Sequence, residues 1–326
     1  MLRQGTWLLG LRPEGDNKML RIKEFALASL MVLGSGLGSG LTVAADEGSN
    51  HARENSTLFA TGQNGAVLLA IDVENRATTV IGPTGSPPPK PSLALAITPD
   101  GTAAYTIAKA KFPLLAQLAK IDLATGAATL VGQPLHNSVL YPANGLFVMG
   151  MTFSPDGVLY AAGDSTFGPP PSPTFNSLYT IDLASGLASR VGSFGVGTSF
   201  SEFIMSFSFD PEGDMYGASM MSLYKIERTT GAATKVVDFK GASLVMGIAF
   251  DKKGRLYASD YIGLTQTLPG STIYRVDLET GFFTPLFKTG IAFVHNIEFK
   301  PEPGCGNGNG NDHSDGNVQC NPKEAD

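Results

Sequence analysis

IDLATGAATLVG (Ile121–Gly132) and IDLASGLASRVG (Ile181–Gly192) are two copies of one phrase. Three more segments align with them without gaps: IDVENRATTVIG (Ile71–Gly82), IERTTGAATKVV (Ile226–Val237) and VDLETGFFTPLF (Val276–Phe287). Successive copies start 50, 60, 45 and 50 residues apart. Each carries an apolar strand end, a Thr/Ser-Gly turn and a second strand, the pattern of a β-hairpin whose glycine supplies positive φ. The first copy departs from it, with Asn75 and Arg76 at the turn.

A second block precedes four of the hairpins: LALAITPDGTAAYTIA (Leu93–Ala108), GMTFSPDGVLYAAGD (Gly150–Asp164), SFSFDPEGDMYGAS (Ser206–Ser219) and GIAFDKKGRLYASD (Gly247–Asp260). Here too a strand meets a glycine turn and a second strand. The two blocks together make four strands per unit, at a period suited to the blades of a β-propeller. The ends of the array are complementary. TLFAT (Thr57–Thr61) matches the second strand of a unit, and HNIEFKPE (His295–Glu302) matches a first strand. Pairing the two completes one blade and removes both sheet edges. The predicted fold is therefore all-β: a propeller of about five four-stranded blades over residues 57–302. A sixth blade would require strands in His136–Val148, where Pro142 and Gly145 suit a loop better.

The units resemble those of bacterial extracytoplasmic propellers of the YVTN and NHL-like group, on phrases such as LYTIDLASG (Leu178–Gly186) and LYASD (Leu256–Asp260). The resemblance covers about residues 57–300 and is specific for fold rather than activity, because that group contains binding proteins, scaffolds, lyases and lactonases.

Composition agrees with a globular chain. Of 326 residues, 43% are hydrophobic and only 16% charged, enough to bury a large core. Residues 1–45 read as a signal peptide: a basic start at Arg21 and Lys23, the apolar run FALASLMVL (Phe25–Leu33), and a cleavage site ending at Ala45. Met19 makes a better start than Met1, since Glu14 and Asp16 precede the basic region. An uncleaved anchor is the alternative, but the apolar core is short and broken by Gly34, Gly36, Gly38 and Gly40. The expected location is periplasmic or secreted, with a linker over 46–56 and no membrane span after cleavage. Cleavage removes five basic and three acidic residues, taking the formal charge from −6 to −8. With no Lys/Arg cluster, such a chain is a poor partner for nucleic acid. Residues 303–326 form a flexible Gly/Asn-rich tail, in which Cys305 and Cys320 are placed for a disulfide in an oxidising compartment.

Most repeated polar residues have structural roles. Asp72, Asp122, Asp182 and Asp277 precede the hairpin turns, where a carboxylate accepts backbone N–H bonds. Tyr160, Tyr179, Tyr216, Tyr224, Tyr257 and Tyr274 are expected to pack between blades. The informative positions are those where one repeat breaks the pattern. His295 stands where the other inner strands have Leu93, Met149, Met205 and Met246. Asn296 replaces Ala94, Gly150, Ser206 and Gly247, and Glu298 replaces Ala96, Thr152, Ser208 and Ala249. Inner strands line a propeller's channel, so His295, Asn296 and Glu298 are candidate ligand-binding residues. The competing explanation is that Glu298 bonds a neighbouring backbone. The resemblance to propeller lactonases of the gluconolactonase type implies a divalent cation such as calcium on the axis, with Glu298, Asn296, Asp164 and Asp260 as candidate ligands. The loop STFGPPPSPTFNS (Ser165–Ser177), with Phe167 and Phe175, is a candidate partner-binding edge. No nucleophile elbow, phosphate loop or zinc-protease motif occurs.

The expected function is a monomeric, non-enzymatic module binding a protein or small molecule, without a cofactor. The alternative is a metal-dependent hydrolase or lactonase working in the channel.

Overall fold

The computed structural model describes residues 57–301, apart from 64, 85–93, 110–115, 136–146, 165–175, 198, 242–243 and 262–269. The signal segment, the linker, the cysteine tail and the loop with Phe167 and Phe175 lie outside the described residues. Among the described residues no helix is long and apolar enough to cross a membrane.

The chain builds five antiparallel sheets of four strands arranged in a ring, the propeller that the repeats predict. The first sheet holds β1 (Thr57–Gly62), β2 (Val67–Asp72) and β3 (Ala77–Pro83). The second runs from β4 (Ala96–Ile97) through β5 (Ala104–Lys109) and β6 (Ala116–Ile121) to β7 (Ala128–Pro134). The third contains β8 (Phe147–Phe153), β9 (Leu159–Asp164), β10 (Ser177–Ile181) and β11 (Ala188–Ser193). The fourth contains β12 (Ser206–Phe209), β13 (Met215–Ala218), β14 (Ser222–Ile226) and β15 (Ala233–Asp238). The fifth contains β16 (Val245–Phe250), β17 (Leu256–Asp260), β18 (Thr272–Val276) and β19 (Phe283–Lys288). The last strand, β20 (His295–Phe299), joins the first sheet beside β1, with Leu58 opposite Phe299, Phe59 opposite Glu298 and Thr61 opposite His295. The two ends of the array thus complete one blade. The long connection KAKFPLLAQLAK (Lys109–Lys120) is expected from the sequence to be a loop between the second and third strands of its blade, whereas β6 already begins at Ala116 within it.

The hairpin turns form as their residues dictate. The Asp122 carboxylate accepts the N–H groups of Ala124 at 2.8 Å and Thr125 at 2.9 Å, and Gly126 turns with φ 78°. Asp182 and Asp277 do the same for their own turns. In the departing first copy Arg76 takes φ 56°, while Asp72 accepts the N–H of Asn75 and its side-chain amide. The glycine ending a hairpin serves the next blade: a Cβ on Gly192 would sit 1.9 Å from the carbonyl oxygen of Thr230. No other residue admits that approach.

The core is divided among the interfaces between blades. An aromatic of the second strand meets the residue that ends the next inner strand. Tyr105 faces Phe153 at 5.7 Å, Tyr160 faces Phe209 at 6.5 Å, Tyr216 faces Phe250 at 5.0 Å and Tyr257 faces Phe299 at 5.4 Å. At the remaining interface Phe59 packs in the same core as Ile97. Each tilted ring pair adds about 0.5–1.5 kcal/mol beyond its burial. The tyrosines therefore pack between blades, as expected from their strand positions.

Candidate functional site

The innermost strand of each blade has one edge with no further strand beside it, and its N–H groups must find partners elsewhere. Side chains of the preceding blade supply them. Ser206 Oγ accepts the N–H of Ile248 at 3.0 Å, and Ser208 Oγ accepts that of Phe250 at 2.9 Å. Glu298 Oε2 accepts the N–H of Ile97 at 2.9 Å, while its Oε1 accepts the hydroxyl of Thr152 at 3.3 Å. Glu298 therefore bridges three blades. Burial among the inner strands pushes its carboxyl up to about 8, against the smaller opposing effect of these two bonds.

Glu298 opens onto a cavity of about 380 Å³ at the end of the channel where the first and second strands of the blades are joined. Thr152, Ser208, Asp210 and Glu212 supply further polar groups, and Phe209 and Phe299 supply ring surface. None of the described lining residues is basic. Asp210 accepts the N–H of Asp214, yet burial raises its carboxyl above the ordinary range, and the neighbouring Asp214 and Glu212 raise it further. Asp210 and Glu212 belong to a turn that the sequence marks only as Pro-Glu-Gly, so nothing in the repeat pattern singles them out.

The other candidate residues go elsewhere. Asn296 has φ 40°, a conformation that asparagine tolerates better than most residues, and its Nδ2 donates to the carbonyl of Met149 at 3.1 Å. His295 is fully buried, and neither of its ring nitrogens has a hydrogen-bond partner among the described residues. Its ring meets Tyr261 edge-on at 5.7 Å. Burial holds the imidazole down at about 3, so it is neutral. Leaving a donor and an acceptor unmet in such a place costs about 1–3 kcal/mol for each group. Asp260 is buried at the end of β17, where it accepts the N–H of Thr272 and the hydroxyl of Tyr274, both at 2.8 Å. Asp164 ends β9, and its side chain lies outside the described residues. The structure thus brings Glu298 together with Thr152, Asp210 and Glu212, and it ties Asp260 to β18. Among the described residues no group of three or more His, Cys, Asp or Glu side chains is placed to hold a metal ion.

No family model matches the chain, and no curated protein does. Several solved structures match it at low identity. TolB from Acinetobacter baumannii is 15% identical, with a TM-score of 0.42 over 73% of this chain and 54% of that one. A protein of unknown function from Bacteroides caccae is 12% identical, with a TM-score of 0.47 over 74% and 97% of the two chains. A chain of the nidogen/laminin complex is 10% identical, with a TM-score of 0.46 over 76% and 99%. The chain spans about half the length of the TolB chain. These likenesses concern the fold and extend no further.

Proposed function

We propose that this protein is an exported binding module that takes a small cationic ligand into the acidic cup on the propeller axis. The observation that carries the reading is the lining of that cup. Three carboxyls (Glu298, Asp210 and Glu212) and two hydroxyls (Thr152 and Ser208) stand beside aromatic rings with no basic residue among the described lining. Such a site offers hydrogen-bond acceptors to a cation and repels an anion, and the Arg228 guanidinium already over the Phe209 ring at 5.7 Å shows a cation beside this lining. Export rests on the signal-like segment before Ala45.

Thermal-shift and calorimetric titrations with putrescine and tetramethylammonium, set against acetate and phosphate, test the reading. The cations should raise the melting temperature and the anions should not. Because Glu298 ionises only near pH 8, cation affinity should rise between pH 7 and 9, and Glu298→Gln should remove that rise. Equal responses to cations and anions would overturn the proposed ligand class. Lactone hydrolysis by the purified protein, lost in Glu298→Gln together with a stoichiometric divalent ion, would replace the binding module with the hydrolase. Amino-terminal sequencing of protein recovered outside the bacterial cytoplasm should begin at Asp46; recovery only of uncleaved cytoplasmic chain refutes export.

A further inference from the structure

A second constellation stands four residues before the end of four of the five inner strands, and so about 13 Å from the acidic cup; the fifth carries Leu93, outside the described residues. Met149, Met205, Met246 and His295 each stand four positions before the phenylalanine that ends the strand: Phe153, Phe209, Phe250 and Phe299. Strict alternation would place them on the same side as the residues two further on, namely Met151, Phe207, Ile248 and Ile297. Those four belong to four different cores between blades. Met149 and Met246 behave otherwise: both join the cluster that holds Met205 and Phe207, not those of Met151 and Ile248.

The backbone explains why. Register shifts between Val148 and Gly150 and between Val245 and Gly247 leave Met149 and Met246 as bulge residues, and Met205 lies directly before β12. A bulge re-aims its side chain, and here it takes Met149 and Met246 out of the cores of Met151 and Ile248 and into the cluster of Met205. The strands approach closely at this level. A Cβ on Gly150 would lie 2.5 Å from the carbonyl oxygen of Met205, and one on Gly247 would lie 3.0 Å from the amide nitrogen of Asn296. Asn296 in turn reaches the carbonyl of Met149. The three methionines are at most 4% exposed, and His295 is sealed. Tyr261 links the two groups, packing on the methionine cluster while facing the imidazole.

Three thioethers and an imidazole are uncharged, soft or borderline ligands, and no carboxylate is among them. Zinc and calcium draw on thiolates, several imidazoles or oxygen anions, whereas thioethers select a soft monovalent ion. A single charge held by neutral ligands also carries the smaller burial penalty. We propose that Met149, Met205, Met246 and His295 form a Cu(I) site on the propeller axis, in which one orphaned nitrogen of His295 supplies the fourth ligand.

The full chain carrying Cys305→Ser and Cys320→Ser, which removes competing thiols, is titrated anaerobically with Cu(I) against bicinchoninate and with Ag(I) by calorimetry. One equivalent of either ion should bind and raise the melting temperature. X-ray absorption should show sulfur scatterers with one nitrogen. Met205→Leu and His295→Leu should each weaken Cu(I) at least tenfold. A Met149→Leu, Met205→Leu, Met246→Leu triple variant should lose the site while still melting cooperatively, because Met-to-Leu changes conserve volume. It decides the matter even if His295→Leu fails to fold. Absence of a stoichiometric ion, or undiminished binding by the folded triple variant, overturns the site and leaves a dry methionine plug.

Discussion

Glu298→Gln isolates the energetic cost of placing an acid among the inner strands. Below pH 4.5, the ordinary value for this carboxyl, both the folded and the unfolded chain carry it protonated, and it contributes no pH dependence. Between pH 4.5 and about 8 the unfolded chain releases a proton that the folded chain keeps. Deprotonation then favours unfolding, and stability falls by about 1.4 kcal/mol per pH unit. Over that window the loss is about 5 kcal/mol at most, and about 3 once solvent admitted by the cup screens the carboxylate. Glutamine keeps the shape, accepts the Ile97 N–H and meets the Thr152 hydroxyl, yet has nothing to ionise. Urea unfolding followed by circular dichroism from pH 4 to 9 should therefore show the two proteins equal at pH 4. The variant should become progressively more stable, by about 3–5 kcal/mol at pH 9. Parallel curves, or a variant weaker at pH 9, would refute the buried-acid account of Glu298.

Gly150→Ala forces a methyl to within 2.5 Å of the Met205 carbonyl and should cost about 2–3 kcal/mol in urea unfolding. Gly157→Ala, where φ is 84° and no atom lies within 4 Å, should cost only about 1 kcal/mol; equal losses would disprove the close-approach explanation. Tyr274→Phe withdraws a donor from the buried Asp260 and should lose about 1–3 kcal/mol at pH 7, an effect that should vanish in an Asp260→Ala background. Truncation before His295 strips β20 from β1 and exposes a sheet edge. Calorimetry should then show no cooperative transition, and gel filtration should show association; a sharp monomeric melt would argue against closure by β20.

The fold was legible because a propeller writes its blades repeatedly into one chain. The turn aspartates and glycines, the period and the mismatched ends all carry information that survives without knowledge of contacts. The departing turn at Asn75 and Arg76 still folds as a hairpin because an asparagine amide and an arginine at positive φ stand in for the usual pair. The candidate site was legible only in part. Glu298 was visible as a break in the pattern, but its neighbours Asp210 and Glu212 come from a turn and reach the cup only through the curvature of the ring. Nor does alternation along an inner strand announce a bulge, so the common destination of Met149, Met205 and Met246 emerges only from the register shifts. The pairing of Tyr105, Tyr160, Tyr216 and Tyr257 with the strand-ending phenylalanines was hidden for a related reason. The partners lie in consecutive blades, 34 to 49 residues apart.

Polar residues on a propeller's inner strands are weak evidence of chemistry, because each of those strands has an unpaired edge that needs acceptors. Ser206 and Ser208 meet that need for the fifth blade and Glu298 meets it for the second. Asn296 spends its amide on the carbonyl of Met149. Glycine solves the same crowding differently at Gly150 and Gly247, by letting one backbone lie against the next. Ser206, Asn296 and the two glycines are explained by the closing of the ring, whereas Glu298 also opens onto the cup. His295 is not so explained: it sits at a position where three other blades place a methionine, it is fully buried, and neither ring nitrogen meets a partner among the described residues. A thioether there would leave nothing polar unmet, so the imidazole costs stability without serving the fold. A nitrogen lone pair kept neutral beside three thioethers gains a purpose only when something accepts it, and that imbalance is what separates the axial ion site from the structural polarity around it.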